Sequence, residues 1–361
     1  MKVLALAAYP EQGASTRFRI AQYLPALAAR GISVTLLTQL DAGAFAALYR
    51  PGSLIDKARL VLATAVKEAI DALAVAREAD VIWVQREAAL VGPEYLERFL
   101  ALSGRPIVFD FDDAIWLKAP EDGAANPRWA RWLRSPKKAN RLLRLCKEAI
   151  AGSSVLAEHA EKIARSVTVV PTVVSRERWT PREHPQDGAL TVGWVGSHST
   201  APALQIAAPA LAELAADGHR FRVRVIGGPK GYAIPGVDVE NVAFDLAIEV
   251  DAVRAFDIGI APMPSGPWSD GKCGFKQLQY MALSVPCVTS AWAGARDFIR
   301  HEENALVASD HGSWKQALLR LLRDGELRAQ LGRAGRDLVV SRYCAEVQID
   351  TIAAVLSRAA R

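Results

Sequence analysis

Short apolar or β-branched runs alternate with longer amphipathic patterns along almost the whole chain, and this alternation restricts the fold more than any other feature. It is typical of α/β proteins in which parallel strands are joined by crossover helices. In the first half we predict strands at Lys2–Ala7, Ser33–Thr38, Asp80–Val84, Pro106–Phe109, Ala149–Gly152 and Thr168–Val170. Helices are predicted there at Arg17–Arg30, Asp56–Arg77, Pro93–Leu102, Pro136–Lys147 and Ser154–Ala164.

The alternation stops between Pro171 and Gly188, where prolines and charges follow one another, and then restarts. The second half is predicted to contain strands Leu190–Val195, Phe221–Ile226, Ile258–Ala261 and Cys287–Thr289 and helices Ala201–Ala216, Leu246–Phe256 and Cys273–Leu283. Because 361 residues suffice for two domains, we predict domains at 1–172 and 190–344, a linker at 173–189, and a last helix within 345–361 that could cross back to the first domain. Two open α/β units would face each other across a cleft, with ligands beyond the carboxyl ends of the strands.

Composition and charge exclude several classes of protein. With 51% apolar and 23% charged residues the chain can bury substantial cores, so it is not a disordered or collagen-like polymer. Its four cysteines lack zinc-knuckle or redox spacing, so we predict reduced structural thiols, no metal site and a cytoplasmic location. The net charge of +5 does not by itself indicate nucleic acid. Residues 128–147, however, contain many cations and no acid.

A glycine-rich loop after the predicted strand Ile258–Ala261 is the segment that most directly indicates a ligand. It leads into a helix N-terminus with Lys272 and Lys276 nearby, and such termini bind phosphate groups. A diphosphate would therefore fit, although a surface loop with solvated lysines explains the same pattern. Residues 266–273 also come within one letter of a nucleotide-hydrolase P-loop, but Cys273 replaces the hydroxyl that binds magnesium.

Several blocks of the chain resemble the family-4 retaining glycosyltransferases. One block is DIGIAPMP, followed by GKCGFKQLQYMALSVPCVTS and FIRHEENALVA. Its most specific part is the ordered set K-x-x-x-Y-M-A-x-x-x-P followed by H-E-E-N-A-L, which resembles the K-x-x-x-Y-M-A subgroup of that family. Further matches are STRFRIAQYLPAL, FDFDDAIW, AIAGSSVLAEHA and VGWVGSHSTAPAL. That family has the GT-B fold, so the resemblance implies two Rossmann-like parallel-sheet domains facing a cleft. It also implies a nucleoside-diphosphate sugar as donor co-substrate and no separate cofactor.

The resemblance assigns the donor diphosphate to the helix that begins near Cys273. The N–H groups of Gly274 and Phe275 are then expected to cradle the diphosphate, and Lys276 to offset the charge of the leaving group. The residues that would bind the rest of the donor are Gly196, Ser197, His198, Lys272 and Gln279. For His198 alone, an exposed loop position without a ligand is an equally good explanation.

The family that the chain resembles usually has a pair of glutamates. In this chain the two positions are occupied by Gly271 and Gln279, so both glutamates are replaced. Gln279 keeps an amide oxygen that can accept hydrogen bonds from the ribose hydroxyls. Gly271 has no side chain. Either a neighbour such as Asp270 contacts the transferred sugar, or the donor differs from the common ones, or activity is weak.

Carboxylates and arginines at strand ends of the first domain are the candidates for the acceptor. The residues that we predict to bind it are Arg17, Arg19, Asp110, Asp112 and Asp113. Alternation after the strand aims Asp110 and Asp112 to one side, and with Lys276 they are the candidate catalytic residues. Helix capping and solvated turn carboxylates are the alternative for the aspartates, and a magnesium site is conceivable but not expected for this family.

The resemblance implies retaining transfer in which the nucleoside diphosphate departs from the face that the acceptor attacks. The leaving phosphate can take the acceptor's proton, so neither a dedicated base nor a metal is required. Uridine and guanosine donors are both compatible, and the acceptor is a glycan, a lipid-linked glycan or another hydroxyl compound. The alternatives are a catalytically silent scaffold that binds nucleotide sugar, and a nucleotide-sugar epimerase or phosphorylase on the same fold.

The basic segment 128–147 indicates a second kind of partner. Trp129 and Trp132 precede a helix that carries Lys137, Arg141 and Arg144 away from its apolar stripe. Such a surface could dock on anionic lipid at the inner face of a membrane and bring a lipid-linked acceptor within reach. A core helix with a solvated cationic face is the alternative.

Overall fold

In the computed structural model the chain forms two compact units, each built on a six-stranded parallel sheet. The structure describes residues 1–49, 53–87, 95–117, 137–182 and 188–361. The first unit comprises Met1–Thr172, Gly271–Cys273 and Val347–Arg361, and the second comprises Val173–Asp270 and Gly274–Glu346. Residues 128–136 of the basic segment, including Trp129 and Trp132, and 183–187 of the predicted linker lie outside the described residues.

The first unit is a Rossmann-like sheet with buried central strands. Its strands are β1 (Lys2–Ala7), β2 (Ser33–Thr38), β3 (Val81–Gln85), β4 (Ile107–Phe111), β5 (Glu148–Ala151) and β6 (Val167–Val169). They are arranged in the order β2-β1-β3-β4-β5-β6, and neighbours are parallel throughout. β3, β4 and β5 are buried at every residue, because the crossover helices of a parallel sheet cover its faces.

Four of the helices described in the first unit lie over one face of its sheet. The helices that the structure describes before the second unit are α1 (Ala14–Arg19), α2 (Leu24–Ala29), α3 (Ala42–Tyr49), α4 (Leu54–Ala76), α5 (Tyr95–Ala101), α6 (Lys137–Leu145) and α7 (Ser154–Ala160). From β2 to β6 the chain crosses the sheet in one direction, so right-handed connections put α4 to α7 on the same side. Among the described helices, α4 included, none is both long and apolar enough to cross a membrane.

The second unit repeats this architecture. Its strands are β7 (Leu190–Val195), β8 (Phe221–Ile226), β9 (Asp238–Val242), β10 (Ile258–Ala261), β11 (Cys287–Ser290) and β12 (Leu306–Ala308), in the order β12-β11-β10-β7-β8-β9. Its helices are α8 (Ala208–Ala216), α9 (Glu249–Arg254), α10 (Pro267–Asp270), α11 (Phe275–Ala282), α12 (His311–Arg323) and α13 (Gly325–Arg342), followed by α14 (Ala345–Ala360). From Val347 onward α14 belongs to the first unit, where Arg358 bonds Glu148 and Asp350 bonds Arg30.

Two predicted helices are broken where a proline follows a turn. The segment predicted as Arg17–Arg30 splits into α1, a 3-10 turn at Ala21–Tyr23 and α2, and Pro25 is the second residue of α2. The segment Ala201–Ala216 splits likewise into a 3-10 turn at Ala201–Ile206 and α8, near Pro209. Proline has no N–H and its ring clashes with the carbonyl four residues earlier, so an unbroken helix is excluded at both places.

A buried carboxyl group lies under the helical layer of the first unit. Glu68 on α4 is 4% exposed, and neither of its carboxyl oxygens has a hydrogen-bond partner. The charged groups near it are Glu97 on α5 and Lys138 on α6, which form an ion pair of 3.0 Å. Burial, reinforced by Glu97 and opposed by Lys138, raises the pKa of Glu68 to about 9.

Glu68→Gln is expected to remove a pH dependence of stability. The folded protein holds the Glu68 proton up to about pH 9, whereas the unfolded chain releases it near its ordinary pKa. The wild-type free energy of unfolding should therefore fall as pH rises, on the order of 1.4 kcal/mol per pH unit between roughly pH 5 and 8. Urea unfolding at both pH values checks this. The exposed Glu161→Gln should behave as wild type, and parallel pH profiles for wild type and Glu68→Gln would contradict the expectation.

Candidate active site

The predicted diphosphate site in the second unit is the N-terminus of a helix, and the residue before this helix has an unusual backbone conformation. Gly274 precedes α11 with φ 66° and ψ 34°, in the left-handed region. A Cβ at Gly274 would lie 2.4 Å from the Phe298 ring and 2.9 Å from that of Trp292. Glycine is therefore required both by its backbone conformation and by packing. The first N–H groups of any helix have no partner within its own hydrogen-bond ladder, and Gly274 lies directly before those of α11.

Lys276 and the loop after β7 are brought together at this end of the sheet. The ammonium of Lys276 lies 5.5 Å from the ring centroid of Trp194, a buried residue of β7. Gly196 is so close to the same ring that a Cβ there would lie 2.4 Å from it. β7 and β10 are parallel neighbours, so the loops that follow them lie at the same edge. Ser197 and His198 continue this loop and are exposed.

Tyr280 anchors α11 to the two strands that carry these loops. Its hydroxyl accepts a hydrogen bond from Val195 N–H at 3.2 Å and donates one to the Ile260 carbonyl at 3.1 Å. The side chain is fully buried, and burial raises the pKa of its phenol well above the ordinary value. Both hydrogen bonds join the last turn of α11 to β7 and β10, so Tyr280 fixes this helix against the two strands.

Gln279 has a carboxylate neighbour that the sequence did not indicate. Its side-chain amide donates to Glu249 Oε1 at 3.5 Å, and both residues are almost completely buried. Glu249 is the first residue of α9, about thirty positions earlier in the chain. In the sequence alone, its favourable interaction with the helix dipole is enough to explain an acidic residue in the first turn of a helix. Only the packing of α9 against α11 reveals that a carboxylate lies beside the glutamine.

The structure corrects the predicted position of Asp110. β4 continues to Phe111, so Asp110 is a buried strand residue and not a carboxylate beyond the strand end. Its Oδ1 accepts from Arg19 Nε at 2.9 Å and Nη2 at 2.7 Å, and its Oδ2 accepts from Trp83 at 3.2 Å. Arg19 also donates to the Val170 carbonyl at 2.6 Å. The prediction that the strand ends at Phe109, before Asp110, was wrong, because β4 continues to Phe111 and Arg19 binds the Asp110 carboxyl. The catalytic and acceptor-binding roles of Asp110 stay predictions.

The charges of this pair are stabilised by each other and not by water. Burial alone would lower the pKa of Arg19, but the charges of Asp110 and Asp112 outweigh burial and raise it. Arg19 therefore remains a cation inside the first unit. Arg17, the other predicted acceptor arginine, donates to the Glu11 and Gln12 carbonyls of the preceding loop.

The remaining predicted residues of the first unit form a second group around Asp113. Its carboxyl bonds Lys272 at 2.8 Å and Arg86 at 3.1 Å, so three charges share one cluster. Asp112 is half-buried, and its Oδ1 has no hydrogen-bond partner. Its carbonyl accepts from the Cys273 thiol at 3.0 Å. The structure thus places Lys272, predicted to bind the donor, in direct contact with Asp113, predicted to bind the acceptor.

The structure has no room for a glutamate at position 271, where the family that the chain resembles has one. A Cβ at Gly271 would lie 2.5 Å from the Cβ of Ala114 and 3.3 Å from its backbone nitrogen. Asp270, the suggested substitute, accepts a hydrogen bond from Ala293 N–H at 2.8 Å. Within the described part of the chain, no three His, Cys, Asp or Glu side chains are arranged to hold a metal ion.

The architecture of two Rossmann-like units defines the structural class, and solved structures with the same architecture span the whole chain. Sucrose-phosphate synthase from Thermosynechococcus elongatus aligns with a TM-score of 0.70 at 14% identity, covering 99% of each chain. Anabaena HepE in complex with UDP-glucose aligns with a TM-score of 0.68 at 17% identity, covering 99% of this chain and 100% of the other. The trehalose-phosphate synthase described as UDP-forming from Burkholderia vietnamiensis aligns with a TM-score of 0.67 at 12% identity, with coverage of 99% and 100%. These likenesses establish the two-domain GT-B fold.

The family is indicated by the second unit. Residues 189–324 match the family model described as glycosyl transferases group 1. This range contains β7 to β12 and α11, and therefore the whole predicted donor site. No curated protein matches the chain. The chain has the GT-B fold, and the match of residues 189–324 to the glycosyl transferases group 1 model supports a glycosyltransferase.

Proposed function

We propose that the protein is a retaining glycosyltransferase that transfers a sugar from a nucleoside-diphosphate sugar, with the diphosphate bound at the N-terminus of α11. The observation that carries the proposal is the juxtaposition of Gly274, Lys276 and the Gly196 loop within the matched domain. A helix N-terminus combines unpaired N–H groups with a partial positive charge, and both suit a diphosphate. HepE binds UDP-glucose, which supports a UDP-linked donor, and a GDP-linked donor is the second choice.

The side chains near α11 have distinct roles in this proposal. The N–H groups of Gly274 and Phe275 bind the diphosphate, and Lys276 neutralises the charge that develops when the sugar leaves. Gly196, Ser197 and His198 approach the same ligand from the loop after β7. Because the charge increases in the transition state, Lys276 should contribute more to kcat than to donor binding.

A buried amide and carboxylate replace the usual ribose-binding glutamate. Gln279 donates to Glu249, which leaves the amide oxygen of Gln279 available to accept from a ribose hydroxyl. Glu249 fixes the orientation of that amide, so we assign it a positioning role. The space at Gly271 is taken by Ala114, so contact with the transferred sugar falls to groups other than a side chain at this position.

The acceptor is proposed to be the hydroxyl of a glycan or lipid-linked glycan that binds near Asp112 and Asp113. Arg19 and Asp110 act indirectly in this proposal: their buried pair shapes the end of β4 from which those aspartates project. Departure of the diphosphate and attack by the acceptor occur on one face, and the leaving phosphate takes the proton. No metal and no separate cofactor is required for these steps. A catalytically silent scaffold that binds nucleotide sugar is the second candidate, favoured by the absence of glutamate at Gly271 and Gln279.

Turnover of the donor by the wild type separates these two candidates, and Lys276→Met tests the catalytic role of the lysine. The substitution keeps the length of the stem and removes the charge, so we expect kcat to fall by about 10²–10³-fold while donor affinity falls less. Release of nucleoside diphosphate from a panel of UDP- and GDP-sugars is the assay, with donor binding followed by thermal shift. Lys315→Met, in the exposed ion pairs with Glu213 and Asp217 on the same unit, serves as control. Donor binding without transfer or hydrolysis in wild type would favour the scaffold.

A further inference from the structure

The outer surface of α4 and α5 in the first unit exposes a concentration of large apolar side chains. The exposed set consists of Ile55, Leu62, Val66, Ile70 and Leu73 on α4 and Phe99 and Leu102 on or next to α5. Their exposed fractions run from 38% at Leu73 to 81% at Leu102. We call this surface the apolar face. On α4 the spacing of seven, four, four and three residues forms one stripe along about five turns of the helix.

The opposite side of α4 already packs on the sheet. Glu68, Ala72 and Ala76 are buried, and Ala72 and Ala76 belong to the core of the first unit. The apolar face therefore does not contribute to the interior of the described fold. An exposed apolar stripe as long as the one on α4 normally marks a binding surface.

The charges around the apolar face are predominantly cationic. Arg59 and Arg77 lie at helical spacing within the stripe, next to Ile55 and Leu73, and both are exposed. No acidic residue occupies the stripe positions of α4. Helices α4 to α7, which lie on one side of the sheet, expose or half-expose seven cations and three acids; the cations are Lys57, Arg59, Lys67, Arg98, Lys137, Arg141 and Arg144.

We infer that the apolar face docks on the surface of an anionic lipid bilayer. An amphipathic helix with a cationic border lies in the plane of the membrane surface, its apolar side chains among the acyl chains and its arginines at the level of the phosphates. A second copy of this chain fits less well, because two identical faces would place one cationic border against another. The inference does not depend on the proposed sugar transfer, since it concerns binding alone.

Flotation of the full-length protein with lipid vesicles tests the inference. Vesicles of phosphatidylcholine alone are compared with vesicles that contain phosphatidylglycerol, at low and at high sodium chloride. We expect the protein to float with the anionic vesicles at least about tenfold more than with the neutral ones at about 0.1 M salt, and the preference to shrink at about 1 M. Equal flotation with both lipids, or none with the anionic vesicles, would overturn the inference.

Substitutions distinguish membrane binding through the apolar face from non-specific attraction between a basic protein and anionic lipid. Leu62→Gln with Ile70→Gln should reduce flotation with anionic vesicles by about tenfold or more. Arg59→Gln with Arg77→Gln should reduce the preference for anionic lipid. Phe244→Gln with Ile248→Gln, which changes two exposed apolar residues of the second unit, should float like wild type. All these positions are exposed, so thermal unfolding should remain close to wild type, and flotation unchanged in the Leu62/Ile70 variant would reject the apolar face as the docking surface.

Discussion

Replacing Gly274 with alanine is expected to reduce kcat/KM for the donor by at least about 10²–10³-fold, the cost of losing a preorganised anion-binding group. A Cβ at Gly274 cannot be accommodated beside Phe298 and Trp292, and the left-handed backbone disfavours any side chain. The first turn of α11 must therefore move, and the N–H groups that are proposed to hold the diphosphate move with it. Initial rates at varied donor concentration, together with nucleoside-diphosphate binding by calorimetry, measure the effect.

The matched control for Gly274→Ala is Gly236→Ala. Gly236 also has a positive φ, of 74°, but a Cβ there would meet no atom within 4 Å. It tests the cost of backbone strain alone, which is roughly 1–2 kcal/mol, in the same unit. Gly236→Ala should therefore lose some stability and keep donor affinity. If Gly274→Ala binds nucleoside diphosphate as tightly as this control does, the diphosphate is not held at α11.

Asp110→Ala is expected to lower the free energy of unfolding by about 3–5 kcal/mol, because it leaves the charge of Arg19 buried and unpaired. Both side chains are at most 2% exposed, and three hydrogen bonds end on the Asp110 carboxyl. Urea unfolding followed by circular dichroism is the measurement. Asp350→Ala breaks the exposed pair with Arg30 and should cost less than about 1 kcal/mol. A loss at Asp110 no larger than at Asp350 would contradict a structural role for the buried pair.

A double variant tests whether Asp110 has a catalytic role in addition. Arg19→Met with Asp110→Leu replaces the ion pair by apolar side chains of similar volume, and such replacements recover most of the lost stability. If the pair only shapes the strand end, the stable double variant should transfer sugar at a rate close to wild type. If Asp110 contacts the acceptor, the double variant should stay inactive although it is folded.

The parts of the fold that were predictable are those that local chemistry determines. β1, β2, β7, β8 and β10 were predicted with the bounds that the structure shows, since apolar, β-branched or alternating runs end at turn residues there. β9 was missed because Asp238–Val242 is a partly exposed edge strand in which acids and an asparagine interrupt the pattern. The breaks at Pro25 and Pro209 were detectable in principle, because each proline lies inside a predicted helix.

Only part of the candidate site could be predicted from the sequence, and the reason is physical. The strand–loop–helix order locates the N-terminus of α11, which is a local property of the segment. Partnerships across the fold are not local: Arg19 and Asp110 are 91 positions apart, and Gln279 and Glu249 are 30 apart. Nothing in the composition around Glu249 indicates its neighbour, and nothing in the run of aspartates shows that Asp110 lies inside the strand. These pairs become visible only after the sheet order is known.

A crystal structure of the protein with bound UDP tests the proposed donor site most directly. We predict the diphosphate oxygens within about 3 Å of the Gly274 and Phe275 nitrogens and of Lys276 Nζ, with the ribose beside Gln279. A nucleotide bound at another edge of either sheet, with the first turn of α11 unoccupied, would contradict the proposed donor site and the roles derived from it.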